Sequence, residues 1–197
     1  MWIEGRTMKW LGTICLLAGI ARIGMTPASY IWGTDSAQEL TFGYIACILM
    51  SVGSIVLYLV QERETGLPGL IGILGIIIGN VITTALVFVA FLTDTSAPMP
   101  DSPAVAVSGI VNMVGLLGGT ILFMITTYRA RVFPRWIVGL HVLMLLGMFI
   151  PLEDNKLFAL FWGLPYIGMG YCILAGKLKQ HASAKLAGTD REQTVSA

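Results

Sequence analysis

Six long apolar segments, separated by short polar turns, constrain this chain more than any other feature. A hydrocarbon core of about 30 Å is crossed by a helix of about 20 apolar residues. A helix satisfies its own backbone hydrogen bonds in lipid, so such segments favour helices over open sheets. The sequence therefore predicts an all-α, polytopic integral membrane protein with six transmembrane helices, at about residues 10–32, 42–60, 67–92, 104–128, 134–150 and 157–175.

The composition agrees with this class of protein. The chain is 56% hydrophobic and 12% charged, and its mean hydropathy is +0.81. A soluble domain carries about 25% charged residues. The net charge is only +1, so nucleic acid is not expected as a partner and the lipid bilayer is. Residues 1–176 are interpreted as one six-helix domain, and residues 177–197 as a cytoplasmic tail that is disordered after its first turn.

The positions of the basic residues predict the orientation. Among the 12 lysines and arginines, all but Arg22 and Lys156 fall on one predicted side of the membrane. Cytoplasmic loops carry the excess of lysine and arginine in membrane proteins. Both termini are therefore predicted to be cytoplasmic, in a multi-pass protein of the cell membrane. The opposite side carries Asp35, Glu39 and further acids.

Two hairpins share a spacing that suggests duplication. A Gly-Ser-Ile triplet at residues 53–55 precedes Arg63 and Pro68. A similar Gly-Thr-Ile triplet at residues 119–121 precedes Arg129 and Pro134 at the same distances. Internal repeats of this kind indicate repeated structural units. Helices two and three are therefore predicted to duplicate helices four and five in the same orientation.

The first segment carries Arg22 at a depth where lipid is expected. Even the lower estimates put a central arginine at about 2.5–3.5 kcal/mol. Its spacing from Gly19 and Thr26 puts these residues on one small, polar helical face, which predicts that the arginine points into the bundle. The alternative is that Pro27 ends the helix early and Arg22 extends to the outer headgroups. If Arg22 is buried, Asp35, Asp94 or Glu153 would be a counter-ion.

Other polar side chains fall at similar depths. Asn80 and Thr83 lie on the third segment and Asn112 on the fourth. Together with Arg22 they predict a site for an anionic or carboxylated ligand, because the arginine fork suits carboxylate and phosphate. The alternative is that the amides and hydroxyls bond one another and hold the helices together, at roughly 0.6 kcal/mol per hydrogen bond.

His141 lies inside the fifth segment and completes the set of candidate binding residues. The favoured interpretation is a neutral histidine bonded to a neighbouring helix, and pH sensing is the alternative. No catalytic residue, metal site or cofactor is expected. His141 has no acidic or cysteine neighbour one turn away, and every acid lies at a helix end or in a loop. Cys15, Cys47 and Cys172 have no paired spacing and are interpreted as small packing residues.

Glycines on the first, third and fourth segments predict close helix packing. The third segment carries Gly69, Gly72, Gly75 and Gly79, and small residues let membrane helices approach closely. These faces suggest either helices that move against one another during transport or a surface for a homo-oligomer or another membrane protein.

The basic turn Tyr128-Arg129-Ala130-Arg131, followed by Pro134-Arg135-Trp136, lies inside a six-helix chain of this size. In these features the chain resembles the small bacterial membrane proteins that are grouped as domains of unknown function. The resemblance covers the helix layout and this one turn, and it implies no activity and no functional residues.

Two functions are expected from these patterns. The first is binding or transport of a small anionic solute or lipid headgroup, with Arg22 as the anchor and Asn80 and Asn112 as orienting groups. The second is a structural or regulatory membrane subunit that associates with a partner through the glycine faces. An enzyme is the least favoured alternative, because no nucleophile–base set is visible.

Overall fold

The chain is all-helical in a computed structural model that describes residues 5–93, 102–148 and 156–179. Six helices lie in these ranges, and no strand is found within them. The helices are α1 (Gly5–Trp32), α2 (Ala37–Leu59), α3 (Glu62–Leu92), α4 (Pro103–Ala130), α5 (Arg135–Met148) and α6 (Phe158–Leu174). Helix α4 contains one π-helical turn, Val114–Gly118.

The all-α prediction and the number of helices are confirmed. Helices α1 to α4 are long and apolar enough to cross a membrane. Helices α5 and α6 have 14 and 17 residues, which is shorter than the roughly 20 that a span needs. Several predicted parts lie outside the described residues. They are the end of the fifth helix at residue 150, most of the loops before the fourth and sixth helices, and most of the tail.

Local capping explains why α2 and α4 begin where they do. The Ser36 hydroxyl accepts a hydrogen bond from the Glu39 backbone N–H, and the Glu39 carboxylate accepts one from the Asp35 N–H at 2.7 Å. This reciprocal arrangement resembles a capping box and starts α2 five residues before the predicted position. The Ser102 hydroxyl accepts a hydrogen bond from the Val105 backbone N–H and caps α4, and Pro103 occupies the first turn, where no N–H is needed.

The backbone breaks sharply near the start of α3. Gly66 has φ 54° and ψ −147°, a conformation that side chains on L-residues rarely allow. The predicted start at Leu67 is therefore the start of the long, straight part of α3. Arg131 ends α4 in the left-handed region, at φ 56°. The two breaks lie near equivalent positions of the proposed repeat, and the duplication itself stays a prediction.

The six helices form a closed ring in chain order. Each helix packs against its neighbours in the sequence, and α6 packs back against α1. The α1–α6 contact is made by glycines: a Cβ atom added at Gly19 would lie 2.6 Å from the Gly163 carbonyl oxygen, and the converse distance is also 2.6 Å. Small residues therefore let the first and last helices touch through their backbones.

The predicted glycine series of α3 packs inside the molecule, against α4. A Cβ atom added at Gly119 would lie 2.7 Å from the Gly72 carbonyl oxygen, and one added at Gly115 would lie 2.7 Å from the Gly75 carbonyl oxygen. The π-helical turn of α4 lies at this same contact, and such turns displace a helix locally from its regular path. The glycine faces of α1, α3 and α4 are thus occupied by helices of the same chain.

The described residues expose more large apolar side chains than a soluble protein usually does. Examples on the outside of the ring are Ile31, Val81 and Leu146. The interior is mostly apolar as well, but it also contains polar side chains of types that soluble proteins seldom bury. The buried polar and charged side chains include those of Arg22, Ser54, Gln61, Asn80, Thr127 and His141.

Candidate functional site

Arg22 lies inside the bundle, as its helical face predicted. Its side chain is only 8% exposed. The guanidinium Nη1 lies 3.3 Å from the Met25 Sδ atom, one turn along α1, and 4.0 Å from the Cys47 Sγ atom on α2. Both are weak acceptors, so they orient the guanidinium without neutralising it.

Two aromatic rings of α6 form the other side of this site. The Arg22 Cζ atom lies 5.7 Å from the centre of the Phe158 ring and 6.0 Å from that of the Trp162 ring. The two rings are 5.0 Å apart. A cation near an aromatic face is stabilised by the ring quadrupole, by about 2 kcal/mol when water is excluded. This attraction lowers the energy of the buried guanidinium, but it does not neutralise the positive charge.

No carboxylate forms an ion pair with Arg22 in the described part of the chain. The Glu39 charge is near enough to interact with those of Lys156 and Arg22, yet Glu39 makes its hydrogen bond to the Asp35 backbone. The Arg22 Nε atom is buried and has no hydrogen-bond partner. Two of the predicted counter-ions, Asp94 and Glu153, lie outside the described residues.

The residues around the site hold α1 against the start of α6. The Thr26 hydroxyl, one turn beyond Arg22, donates to the Lys156 carbonyl oxygen at 2.9 Å. The Lys156 Nζ atom lies 5.4 Å from the centre of the Tyr30 ring. Lys156 is therefore a second positive charge at this end of the bundle, but it points along α1 and not at the Arg22 guanidinium.

Thr83 and Asn112 meet each other and do not contact Arg22. The Asn112 Nδ2 atom donates to the Thr83 hydroxyl at 3.0 Å, and that hydroxyl donates to the Gly79 carbonyl oxygen at 2.9 Å. This bond joins α3 to α4, which is the alternative that the sequence left open for the amides and hydroxyls. A single bond of this kind contributes roughly 0.6 kcal/mol.

Asn80 is buried on α3, with 3% of its surface exposed, and its Nδ2 atom has no hydrogen-bond partner. Among the described residues, no hydrogen bond joins Asn80 to Arg22. The structure therefore does not group the predicted orienting amides with the arginine. Asn80 is a separate buried donor on α3, a helix that follows α2 in the ring.

His141 is buried and bonds within its own helix. Its Nδ1 atom lies 2.9 Å from the Ile137 carbonyl oxygen. A carbonyl oxygen only accepts, so Nδ1 carries the proton. The hydrogen bond seen for His141 thus lies within α5, whereas the favoured interpretation placed one with a neighbouring helix.

His141 also lines a small cavity at the centre of the ring. The cavity volume is about 10 Å³, and Thr120, Tyr166 and Trp162 share its wall. This volume is close to the minimum for one water molecule and too small for an organic anion. The Tyr166 hydroxyl makes a 2.7 Å hydrogen bond with the Ser54 hydroxyl, which ties α6 to α2 beside the cavity.

Sequence reasoning missed two sets of buried groups. Phe158 and Trp162 are four residues apart and share a face of α6, but only the fold brings that face to Arg22. Gln61 lies in the polar turn between the second and third predicted segments, yet it is fully buried, and its Nε2 atom donates to the Thr127 hydroxyl at 2.9 Å. No signal in the sequence marks Gln61 as internal.

Other types of site are not supported by the described residues. No group of three or more histidine, cysteine, aspartate or glutamate side chains among them could hold a metal ion. The three cysteines are free and buried. A surface groove of about 450 Å³ lies between α2 and α3, but its walls, which include Tyr44, Val81 and Phe88, are mostly apolar. The groove contains none of the predicted binding residues.

No family model, curated protein or solved structure matches the chain. The resemblance to small bacterial membrane proteins of unknown function therefore stays a prediction. Among the described buried polar groups, Arg22 is the charged one, and no described carboxylate forms an ion pair with it.

Proposed function

We propose that this protein crosses the cell membrane six times, with both termini cytoplasmic, and binds a small anion from the outer side through Arg22. The anion would be a solute or a lipid headgroup. Membrane insertion is supported by four long apolar helices and by the apolar outer surface of the ring. The orientation is supported by the excess of lysine and arginine on one predicted side.

The observation that carries the proposal is the buried charge of Arg22, with which no carboxylate of the described residues forms an ion pair. The residue is 8% exposed, its Nη1 atom faces two sulfur atoms beside two aromatic rings, and its Nε donor has no acceptor among the described residues. A buried charge without a partner costs several kcal/mol, and removing it through an apolar substitution would be simple in evolution. An intramembrane arginine of this kind is by default a candidate functional residue, and an anion is its natural partner.

The structural-subunit alternative has less support. It depended on glycine faces that remain available to a partner. The glycines of α1 contact α6, and those of α3 contact α4, so these faces are already occupied within the chain. Binding of an anion is therefore the function that the buried residues favour.

A stability screen tests the proposal. The purified chain in detergent is heated with carboxylates, phosphate or anionic lipids, and unfolding is followed with a thiol-reactive fluorophore, because the three cysteines are buried when folded. A ligand that binds only the folded state raises its stability by about 2.7 kcal/mol at one hundred times its Kd. We expect at least one anion to stabilise wild type and to have no effect on Arg22→Ala. If no anion stabilises wild type, the binding proposal is wrong.

The topology is tested independently by cysteine labelling. Ser96→Cys should react with a membrane-impermeant maleimide added outside intact cells, and Arg129→Cys should react only after the cells are opened. The native cysteines are buried and serve as the unlabelled background. The reverse labelling pattern would refute the proposed orientation, and labelling of both positions from outside would refute the six-span arrangement.

A further inference from the structure

The open edge of the Arg22 guanidinium defines the shape of ligand that it can accept. Nη1 faces the sulfur atoms of Met25 and Cys47, and Nε has no partner. The N–H bond of Nε lies parallel to one N–H bond of Nη2, so this edge is a fork that matches the two oxygens of one carboxylate.

The charge of the site limits the charge of its ligand. Arg22 is the one cation in contact with the two aromatic rings, and Lys156 points toward Tyr30. A single negative charge would neutralise Arg22. A second would remain unpaired among apolar walls, and the cost of removing charge from water rises steeply with its magnitude. A dianion such as hydrogen phosphate is therefore disfavoured.

The walls of the site favour an apolar body on the ligand. Phe158 and Trp162 present ring surface beside the guanidinium, and Nη1 faces the thioether of Met25 and the thiol of Cys47. Ring–ring contacts contribute about 0.5–1.5 kcal/mol beyond burial of their area. These atoms offer few hydrogen bonds to a hydroxyl-rich headgroup, so a polar body would lose its contacts with water without replacement.

Arg22 is only 8% exposed and lines neither cavity described above, so we expect a neighbouring side chain to move when a ligand enters. Phe158 is the ring with that freedom. It is half-buried, and it lies at the first residue of α6, whose start has no side-chain cap. Trp162, one turn deeper, is 4% exposed and also packs against the central cavity. Phe158 would therefore move aside and then cover the bound ligand.

We infer that the Arg22 site is specific for monocarboxylates with an apolar body, held by the fork of Nε and Nη2 and covered by Phe158. This inference rests on the proposed function and narrows its ligand class. Benzoate is the simplest probe of this kind. Benzamide keeps its shape without its charge, and acetate keeps its charge without its ring.

The experiment measures binding of these probes to the full chain in detergent by the thermal shift described above. We expect benzoate to bind about tenfold more tightly than acetate, and benzamide and inorganic phosphate not to bind. Arg22→Lys keeps the charge but loses the fork, so it should lower the affinity for benzoate at least about thirtyfold. Lys156→Met removes a charge at the same end of the bundle and should change benzoate affinity less than threefold.

Phe158→Leu tests the aromatic cover separately from the fork. We expect it to reduce the preference for benzoate over acetate about threefold or more, with acetate affinity nearly unchanged. Binding of phosphate or of phosphatidylglycerol vesicles in preference to benzoate would overturn the carboxylate inference and leave the anion proposal intact. Equal affinity of wild type and Arg22→Lys for benzoate would overturn the claim that the fork of Nε and Nη2 holds the carboxylate. If no anion binds at all, both the inference and the proposed function fail.

Discussion

Arg22→Met should make the protein without ligand more stable, by about 1–3 kcal/mol. Methionine fills much of the same volume and removes a buried charge that has no carboxylate partner among the described residues. Replacing buried charges by apolar side chains of similar size often stabilises proteins by 1–4 kcal/mol, and an arginine within a membrane costs at least about 2.5 kcal/mol. Loss of the contacts with Phe158 and Trp162 reduces this gain by about 1–2 kcal/mol.

The measurement is the thermal or denaturant midpoint of thiol exposure, in buffer free of carboxylate and phosphate. Arg22→Ala should be less stable than Arg22→Met by about 2 kcal/mol, because it leaves a cavity between α1, α2 and α6. Lys156→Met serves as a control and should change stability by less than about 0.5 kcal/mol. A loss of stability in Arg22→Met would mean that the native protein already supplies Arg22 with an anionic partner.

A stabilising Arg22→Met substitution would also bear on function. Proteins retain destabilising groups at binding sites because activity requires them, so a gain in stability that accompanies a loss of binding is the expected pattern. A substitution that changes neither stability nor binding would indicate instead that the guanidinium reaches water or headgroups in the membrane.

Gly163→Ala should destabilise the protein by about 2 kcal/mol, and Gly19→Ala should do the same. In each case the new methyl group would lie 2.6 Å from a backbone carbonyl oxygen of the facing helix. A backbone atom cannot move alone, so α1 and α6 must separate, and overpacking of this kind costs about 1–3 kcal/mol. Because α6 closes the ring against α1, each substitution weakens the contact between the first and the last helix.

Gly139→Ala is the matched control, because a Cβ atom at this α5 position has no neighbour within 4 Å. It should be neutral or should stabilise α5 by up to about 1 kcal/mol, through the higher helix propensity of alanine. The double variant Gly19→Ala with Gly163→Ala should cost less than the sum of the two, since one separation of the helices accommodates both methyl groups. Full additivity, or a Gly19→Ala variant as stable as the control, would contradict the backbone contact.

The sequence predicted the helices well because their signals are local. Apolar length set the number of helices, and glycine spacing predicted the close packing of α3. The helix α2 begins five residues before its predicted start because the cap at Ser36 extends it beyond its apolar stretch, whereas α4 begins within one residue of the prediction, at Pro103. The serine caps are also local signals, and they lie just before each apolar segment.

The candidate site was predicted only in part. The face of α1 that carries Arg22 follows from helical periodicity, and it correctly indicated a bundle-facing arginine. Asn80, Thr83 and Asn112 were grouped with it because their depths matched. Depth along a helix gives no information about which helices are adjacent, and α1 has α2 and α6 as its neighbours while the amides lie on α3 and α4.

The sequence alone therefore determined an all-helical chain with an arginine on a small polar face, because backbone hydrogen bonding and helical periodicity act within each segment. Only the tertiary structure decided what surrounds that arginine. The ring order brings Phe158 and Trp162 to Arg22 across more than 130 residues of sequence, and it leaves the guanidinium without a described carboxylate. Helix adjacency arises from backbone contacts between glycines such as Gly19 and Gly163, and no local pattern specifies which glycine faces meet.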